Sequence, residues 1–94
     1  MPSVVRMGDV NDAGGSVCAN TCSTIYCDGK PVAKIGSNIT PHYPCGHPGG
    51  SPHCNAVITT GNATVLVEGV PIAIVGSVNS CGHHMVTGSG TVSA

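Results

Sequence analysis

Residues 23–37 read STIYCDGKPVAKIGS, and residues 63–77 read ATVLVEGVPIAIVGS. The two stretches align without a gap and carry identical residues at Thr24/Thr64, Gly29/Gly69, Pro31/Pro71, Ala33/Ala73, Gly36/Gly76 and Ser37/Ser77. Each begins with a β-branched segment, turns at Asp-Gly or Glu-Gly, and runs back from a proline to a glycine. This pattern predicts two β-hairpins. The predicted strands are 23–28 with its return at 31–36, and 63–68 with its return at 71–76.

A third copy of the same unit is divided between the two ends of the chain. SVVRMGD at 3–9 aligns with the return half at 31–37, and TGSGTV at 87–92 aligns with TGNATV at 60–65. If the two ends meet, they complete a third hairpin. We therefore predict one all-β domain over residues 1–94, a small pseudo-threefold cone of short β-hairpins, in which closure removes free sheet edges.

The composition excludes several classes of protein. The 94 residues include no Phe or Trp, and only 3 Lys and Arg stand against 4 Asp and Glu, so no basic patch or aromatic platform is available for nucleic acid. No apolar run is long enough to span a bilayer. The opening MPSVVRMGD lacks the apolar core of a signal peptide, so we expect any export to use another route. The 14 Gly and 7 Pro recur at turn positions, which indicates tight turns instead of disorder.

The histidines and half of the cysteines are confined to two loops. Loops at 9–20, 37–60 and 77–87 follow the three return strands, and threefold geometry brings them to the same end of the molecule. All 5 His lie in the second and third of these loops, together with Cys45, Cys54 and Cys81. We therefore predict a metal site near the vertex of the cone.

Ligand spacing in these loops favours zinc. His42-x-x-Cys45 has a separation at which one turn presents two ligands, and His53 follows a Pro/Gly-rich segment that can fold back. A fourth ligand from the third loop would cross-link two repeats, and both Cys81 and His83 qualify. The predicted zinc ligands are His42, Cys45, His53 and His83, with Cys81 as the rival for the fourth position.

The remaining cysteines and the lack of catalytic groups complete the prediction. Cys27 is expected to be a small buried thiol in a strand. Cys18 and Cys22 could pair with each other or with Cys54. The two loops that carry the histidines contain no acidic residue to act as a base, and no nucleophile motif of the GxSxG type occurs. We expect a closed structural zinc site and no enzyme activity.

The ordered motifs resemble the PAAR-repeat family over essentially the whole chain. The element that names the family appears in variant form as Pro31-Val32-Ala33-Lys34, as Pro71-Ile72-Ala73-Ile74 and as Ser3-Val4-Val5-Arg6. A hydrophobic residue and a glycine follow each copy, although the Gly-Asp step survives only at Gly8-Asp9. The TGxxTV elements are similar to the family, and so is a loop with His42, Cys45 and Pro52-His53. The chain departs from many members by lacking a histidine in its first loop.

This resemblance implies a function as well as a fold. Family members cap the blunt end of a trimeric β-helical spike in type VI secretion systems and contractile phage tails, with one tip per trimer. They hold zinc near the vertex and sharpen the spike for puncture. The resemblance therefore implies that the tip contacts the target membrane only transiently, during puncture. Such a tip would assemble in the cytoplasm and be delivered outside the cell, as a virion component if the machine is a phage tail. Effector cargo is a further partner that the resemblance implies. The alternative to a spike tip is a small secreted binding module stapled by disulfides or metal.

Overall fold

The computed structural model describes residues 2–43 and 45–94 of the predicted domain; Met1, Pro44 and the side chain of Pro52 lie outside the described part. The fold is all-β, built from short antiparallel pairs. The elements in chain order are β1 (Val17–Ala19), β2 (Tyr26–Cys27), β3 (Lys30–Pro31), β4 (Asn38–Ile39), a 3-10 helix (Ser51–His53), β5 (Asn62–Val67) and β6 (Val70–Ile72). The pairs are β1 with β4, β2 with β3, and β5 with β6. Within the described ranges, no helix is long and apolar enough to cross a membrane.

The two complete repeats form the predicted hairpins, but β2, β3 and β6 are shorter than predicted and the return strands begin one residue earlier, at Lys30 and Val70. Cys27 pairs with Lys30 across one turn, and Val67 pairs with Val70 across the other, so each turn has two central residues. Both central residues have positive φ, at 55° and 77° in Asp28-Gly29 and at 52° and 79° in Glu68-Gly69. These angles are those of type I′ turns, whose twist matches that of the flanking strands. The Asp-Gly and Glu-Gly steps therefore determine where each hairpin reverses.

The three repeats close around one axis through their backbones. Val5 N–H donates to the Ala73 carbonyl, Ala73 N–H to the Ala33 carbonyl, and Ala33 N–H to the Val5 carbonyl, at 2.9–3.0 Å. These residues occupy the same position in the three aligned segments, and all are fully buried. A second ring repeats the arrangement, with Met7 bonded to Pro31, Ile35 to Pro71 and Val75 to Ser3. The predicted pseudo-threefold architecture is thus confirmed, including the unit made from the two chain ends. The predicted removal of free sheet edges is wrong, because the strands in the described part of the chain form three separate two-stranded sheets.

Apolar side chains fill the interior in two clusters on either side of these rings. One cluster leads toward the loops and contains Val5, Val17, Ala33, Ile39, Ala56, Ile58, Ala73 and Met85. The other lies under the hairpins and contains Val4, Cys22, Cys27, Val32, Val67 and Ile72. Because three backbones approach one axis, only compact side chains fit there, and the residues of both clusters are aliphatic or sulfur-containing.

Two short strands lie where the sequence predicted only loops. β1 falls within the first predicted loop and β4 within the second, and they pair at Val17 with Ile39. This pairing links residues from different repeats, and the register shifts between Val17 and Ala19. β1 has only 3 residues and β4 only 2, which is too short for an alternating pattern to mark them in the sequence. The 3-10 helix also lies within the second predicted loop.

The third unit has no covalent turn, and hydrogen bonds join its halves. Val4 N–H donates to the Val92 carbonyl, and Ala94 N–H donates to the Pro2 carbonyl. Arg6 adds side-chain links, because its guanidinium donates to Asp9, to Asp28 at 3.0 Å and to the Gly88 carbonyl at 3.3 Å. One cation therefore connects the N-terminal segment, the first hairpin and the C-terminal segment.

The acidic partners of Arg6 are held in their ionised form. Hydrogen bonds from Ser89 and then Thr91 lower the pKa of Asp28 to about 2. Burial raises the pKa of Asp9, but hydrogen bonds from Arg6 and Thr87 more than offset this effect and lower it. Asp9 is nearly enclosed, with a side-chain exposure of 7%. Removing its cation would leave a poorly solvated carboxylate without its partner.

We expect Arg6→Met to lower the free energy of unfolding by about 3 kcal/mol, because it breaks a largely buried ion pair. Lys34→Met is the matched control. Lys34 occupies the same repeat position, but its partner Glu68 has 28% side-chain exposure, so the expected loss is below about 1 kcal/mol. Urea unfolding of both variants measures the difference. Equal losses would show that Arg6 has no special role in joining the chain ends.

Candidate metal centre

Four potential ligands converge at the loop end of the molecule. His42 and His53 come from the second loop, and Cys81 and His83 come from the third. One ligand atom from each lies within 4.8 Å of every other. His42 is buried and the other three are half-buried. This group could hold a metal ion, and it joins two of the three repeats.

The imidazole rings of the group are oriented by their second nitrogens. His42 Nδ1 lies 2.8 Å from the Thr40 carbonyl oxygen, which can only accept, so Nδ1 carries the proton and Nε2 faces the group with a lone pair. His83 Nδ1 lies 2.8 Å from Asp12 Oδ1, which leaves its Nε2 available. His53 presents Nδ1 to His42. The rings therefore have a nitrogen free for each of three metal bonds.

Two of the separations between ligand atoms are short enough for both atoms to bind one metal ion. His53 Nδ1 lies 3.2 Å from His42 Nε2, and Cys81 Sγ lies 3.4 Å from the same nitrogen. Ordinary Zn–N and Zn–S bond lengths in a tetrahedron give edges of about 3.3 Å between two nitrogens and about 3.6 Å between nitrogen and sulfur. The two observed separations are close to these edge lengths, and the other pairs of ligand atoms lie within 4.8 Å of each other.

The structure places the predicted ligand Cys45 elsewhere. Cys45 is bonded to Cys54, with 5.0 Å between their Cα atoms, so its sulfur is committed to a disulfide. Cys81, the predicted rival, contributes the sulfur of the group, and His83 is present as well. Cys45 therefore closes the loop through its disulfide with Cys54 and does not join His42 in the ligand group. The pairings considered for Cys18 and Cys22 do not form, because both are free thiols, as are Cys27 and Cys81.

The disulfide holds two ligands close together. It joins Cys45, three positions after His42, to Cys54, which immediately follows His53. A backbone hydrogen bond from His42 N–H to the His53 carbonyl, at 3.2 Å, adds a second connection across the same loop. His42 and His53, which are 11 positions apart, are thereby brought together, as the Pro/Gly-rich sequence between them predicted.

The first loop contributes to the centre without supplying a ligand. Gly15 packs so closely on His42 that a Cβ atom there would lie 2.6 Å from Nδ1 of the imidazole. The Asp12 carboxylate lies 2.8 Å from Nδ1 of His83. The two loops that carry the histidines contain no acidic residue, so the sequence analysis did not connect Asp12, which lies in the first loop, with the centre. In the sequence, Asp12 is marked only by its position in the first loop, which is equivalent to the two loops that carry the ligands.

The electrostatic environment favours a neutral His53. Burial lowers the pKa of His53, and the charges that His83 and His42 carry when protonated lower it further. A neutral imidazole at pH 7 has the lone pair that a metal needs.

His47 and His84 are exposed and lie outside the group, and His47 instead has its ring near Tyr43, with 5.1 Å between centroids.

The chain matches no protein-family model and no curated protein sequence. The likeness to PAAR-repeat proteins therefore stays a prediction from the motifs. A function has to be inferred from those motifs together with the geometry of the fold and of this centre.

We expect His53→Ala to lower metal content and thermal stability together, because it removes one of four ligands. If metal binding contributes about 3 kcal/mol, the melting temperature falls by roughly 12–24 °C for a domain of this size. His47→Ala, in the same loop but outside the group, should change neither quantity. Elemental analysis and calorimetry give the two measurements. A His53→Ala protein that loses metal but melts unchanged would contradict a stabilising role for the ion.

The two cysteine assignments give a separate test. Cys81→Ser should abolish tight metal binding, because it removes the thiolate. The double variant Cys45→Ser/Cys54→Ser should still bind metal and lose only the loop constraint, about 2.5 kcal/mol for a loop of this length. Metal titration and urea unfolding of both proteins separate the roles. Loss of metal from the double variant, with retention in Cys81→Ser, would restore Cys45 as the ligand.

Proposed function

We propose that this chain is a structural tip for the trimeric β-helical spike of a contractile injection machine, either a type VI secretion system or a phage tail. The PAAR-like motifs lead to this proposal. The pseudo-threefold fold supports it, because a single chain with three equivalent segments can match the symmetry of a trimer at one tip per three spike chains. Effector cargo and transient contact with a target membrane belong to the same proposal.

A set of exposed apolar residues on the hairpins supports docking to a trimer, and it is the observation that carries the proposal. Ile25, Val65 and Val92 occupy equivalent positions in the aligned outgoing halves of the three units, and their exposed fractions are 41%, 36% and 44%. Tyr26 and Leu66, one position further along, are 60% and 57% exposed. Repetition at threefold-related sites distinguishes this set from apolar residues scattered singly over a surface.

The outgoing strands also have backbone groups available for pairing. In the part of the chain that the structure describes, β2 pairs only with β3, and β5 pairs only with β6. β5 is exposed at four consecutive residues, so neither of its faces packs fully on the core. Such strands can extend the ends of another β-structure. This arrangement suits a broad base seated on the strand ends of a β-helix.

At the opposite end we propose a structural zinc ion bound by His42, His53, Cys81 and His83. Nitrogen and sulfur ligands in a tetrahedron are the set that zinc prefers. Four protein ligands fill the coordination shell, so no position remains for a reactive water, and we propose that the chain is not an enzyme. The zinc would stiffen a vertex made of Gly-rich loops. The alternative of a module held by three disulfides is disfavoured by one disulfide and four free thiols.

We expect the purified protein to bind the isolated trimeric β-helical spike of the same organism, with one tip per three spike chains. Val65→Asp should weaken this complex at least roughly 30-fold, because a charge is placed in an apolar seam. Val86→Asp is the control, since Val86 is 44% exposed but lies outside the hairpins. Light scattering gives the stoichiometry, and calorimetry gives the affinity. No complex, or equal weakening by both variants, would count against the spike-tip function.

A further inference from the structure

Asp12 is the acidic residue that approaches the metal centre. Its Oδ1 lies 2.8 Å from Nδ1 of His83, and its Oδ2 lies 3.5 Å from Nδ1 of His84. The His83 side chain is 31% exposed, whereas that of His84 is 53% exposed and outside the ligand group. The shorter contact is therefore made to the histidine that faces the centre.

The backbone around Asp12 is held in place by neighbours from the other loops. Asp12 N–H donates to the His84 carbonyl at 3.1 Å. The adjacent Asn11 is buried; its amide donates to Asn79 at 2.9 Å, and its Oδ1 accepts from the backbone N–H groups of Ala13 and Gly15. These bonds fix the turn on which Asp12 stands. The carboxylate is thus presented to His83 by an ordered element.

We propose that Asp12 is a positioning residue for the zinc centre: it holds the His83 ring with the proton on Nδ1 and the lone pair of Nε2 directed at the metal. This inference rests on the proposed zinc site and extends it to the first loop, which supplies no ligand. A carboxylate behind an imidazole fixes its tautomer and raises its basicity, and losing such a partner commonly costs 10–100-fold in metal affinity. The Thr40 carbonyl has the same relation to His42.

The first test measures zinc affinity of the full-length protein at about pH 7 by competition with a chromophoric chelator. Asp12→Ala should raise the Kd for Zn²⁺ by roughly 10–100-fold. Asp12→Asn keeps an acceptor oxygen without the charge, so its Kd should fall between those of wild type and Asp12→Ala. His84→Gln is the matched control, because it changes the other neighbour of the same carboxylate, and its Kd should equal that of wild type.

The second test separates positioning from general support of the fold. In the metal-free protein, ¹⁵N chemical shifts of the His83 ring should report protonated Nδ1 in wild type and a mixture of tautomers in Asp12→Ala. The melting temperature of the metal-free protein should be nearly the same in both. An Asp12→Ala variant with an unchanged Kd, or with an unchanged tautomer, overturns the role. So does one whose metal-free form is destabilised as strongly as its zinc-loaded form.

These outcomes are distinct from failure of the zinc proposal. A wild-type protein that takes up no Zn²⁺ overturns both the proposed centre and the role of Asp12. A wild-type protein that binds Zn²⁺ tightly, with Asp12→Ala binding it equally well, overturns the role of Asp12 alone.

Discussion

The ring of backbone hydrogen bonds among Val5, Ala33 and Ala73 is the constraint on which the fold depends. Each residue donates to one neighbour and accepts from the other, so the three segments hold together only when all are present. The ring requires main chains to meet at one axis, where no large side chain fits. It therefore accounts for the compact core, and it forces the two ends of the chain to come together. The hydrogen bonds of Arg6 strengthen the junction of the two chain ends. In the other two units, a covalent turn makes the equivalent connection.

The same geometry makes the loop end the weak part of the molecule. The loops contain many glycines, and at Gly46, Gly49 and Gly82 the backbone adopts positive φ. Ordering such segments costs conformational entropy that a small core does little to offset. A third ring of backbone bonds crosses this end, from Asp12 to His84, Thr40 to Ser16 and Ser80 to Val57. The disulfide and the ligand group lie beyond that ring, where few other contacts are available to fix the chain.

Much of the fold could be predicted from the sequence because its signals are local and repeated. The turn residues gave the hairpin positions, and alignment of the two chain ends gave the third unit. β1 and β4 were missed because strands of 3 and 2 residues are too short to show an alternating pattern, and their pairing across repeats has no local turn signal. Cys45 was predicted as a ligand, whereas the sulfur in the group belongs to Cys81. Spacing shows that two residues can face one point, but not that a nearer thiol, Cys54, will capture one of them.

A threefold scaffold cannot supply a tetrahedral ion symmetrically, since three equivalent loops offer three equivalent donors and the fourth must break the symmetry. Here the second and third loops have diverged to provide two ligands each. The first loop gives Gly15, which leaves space for the His42 ring, and Asp12, which faces the back of His83. Its lack of a histidine is then consistent with the geometry, because a further ligand would have no vacant position to occupy. The three loops therefore differ in length and in chemistry, and four-coordinate binding of an ion by this group would require such a difference.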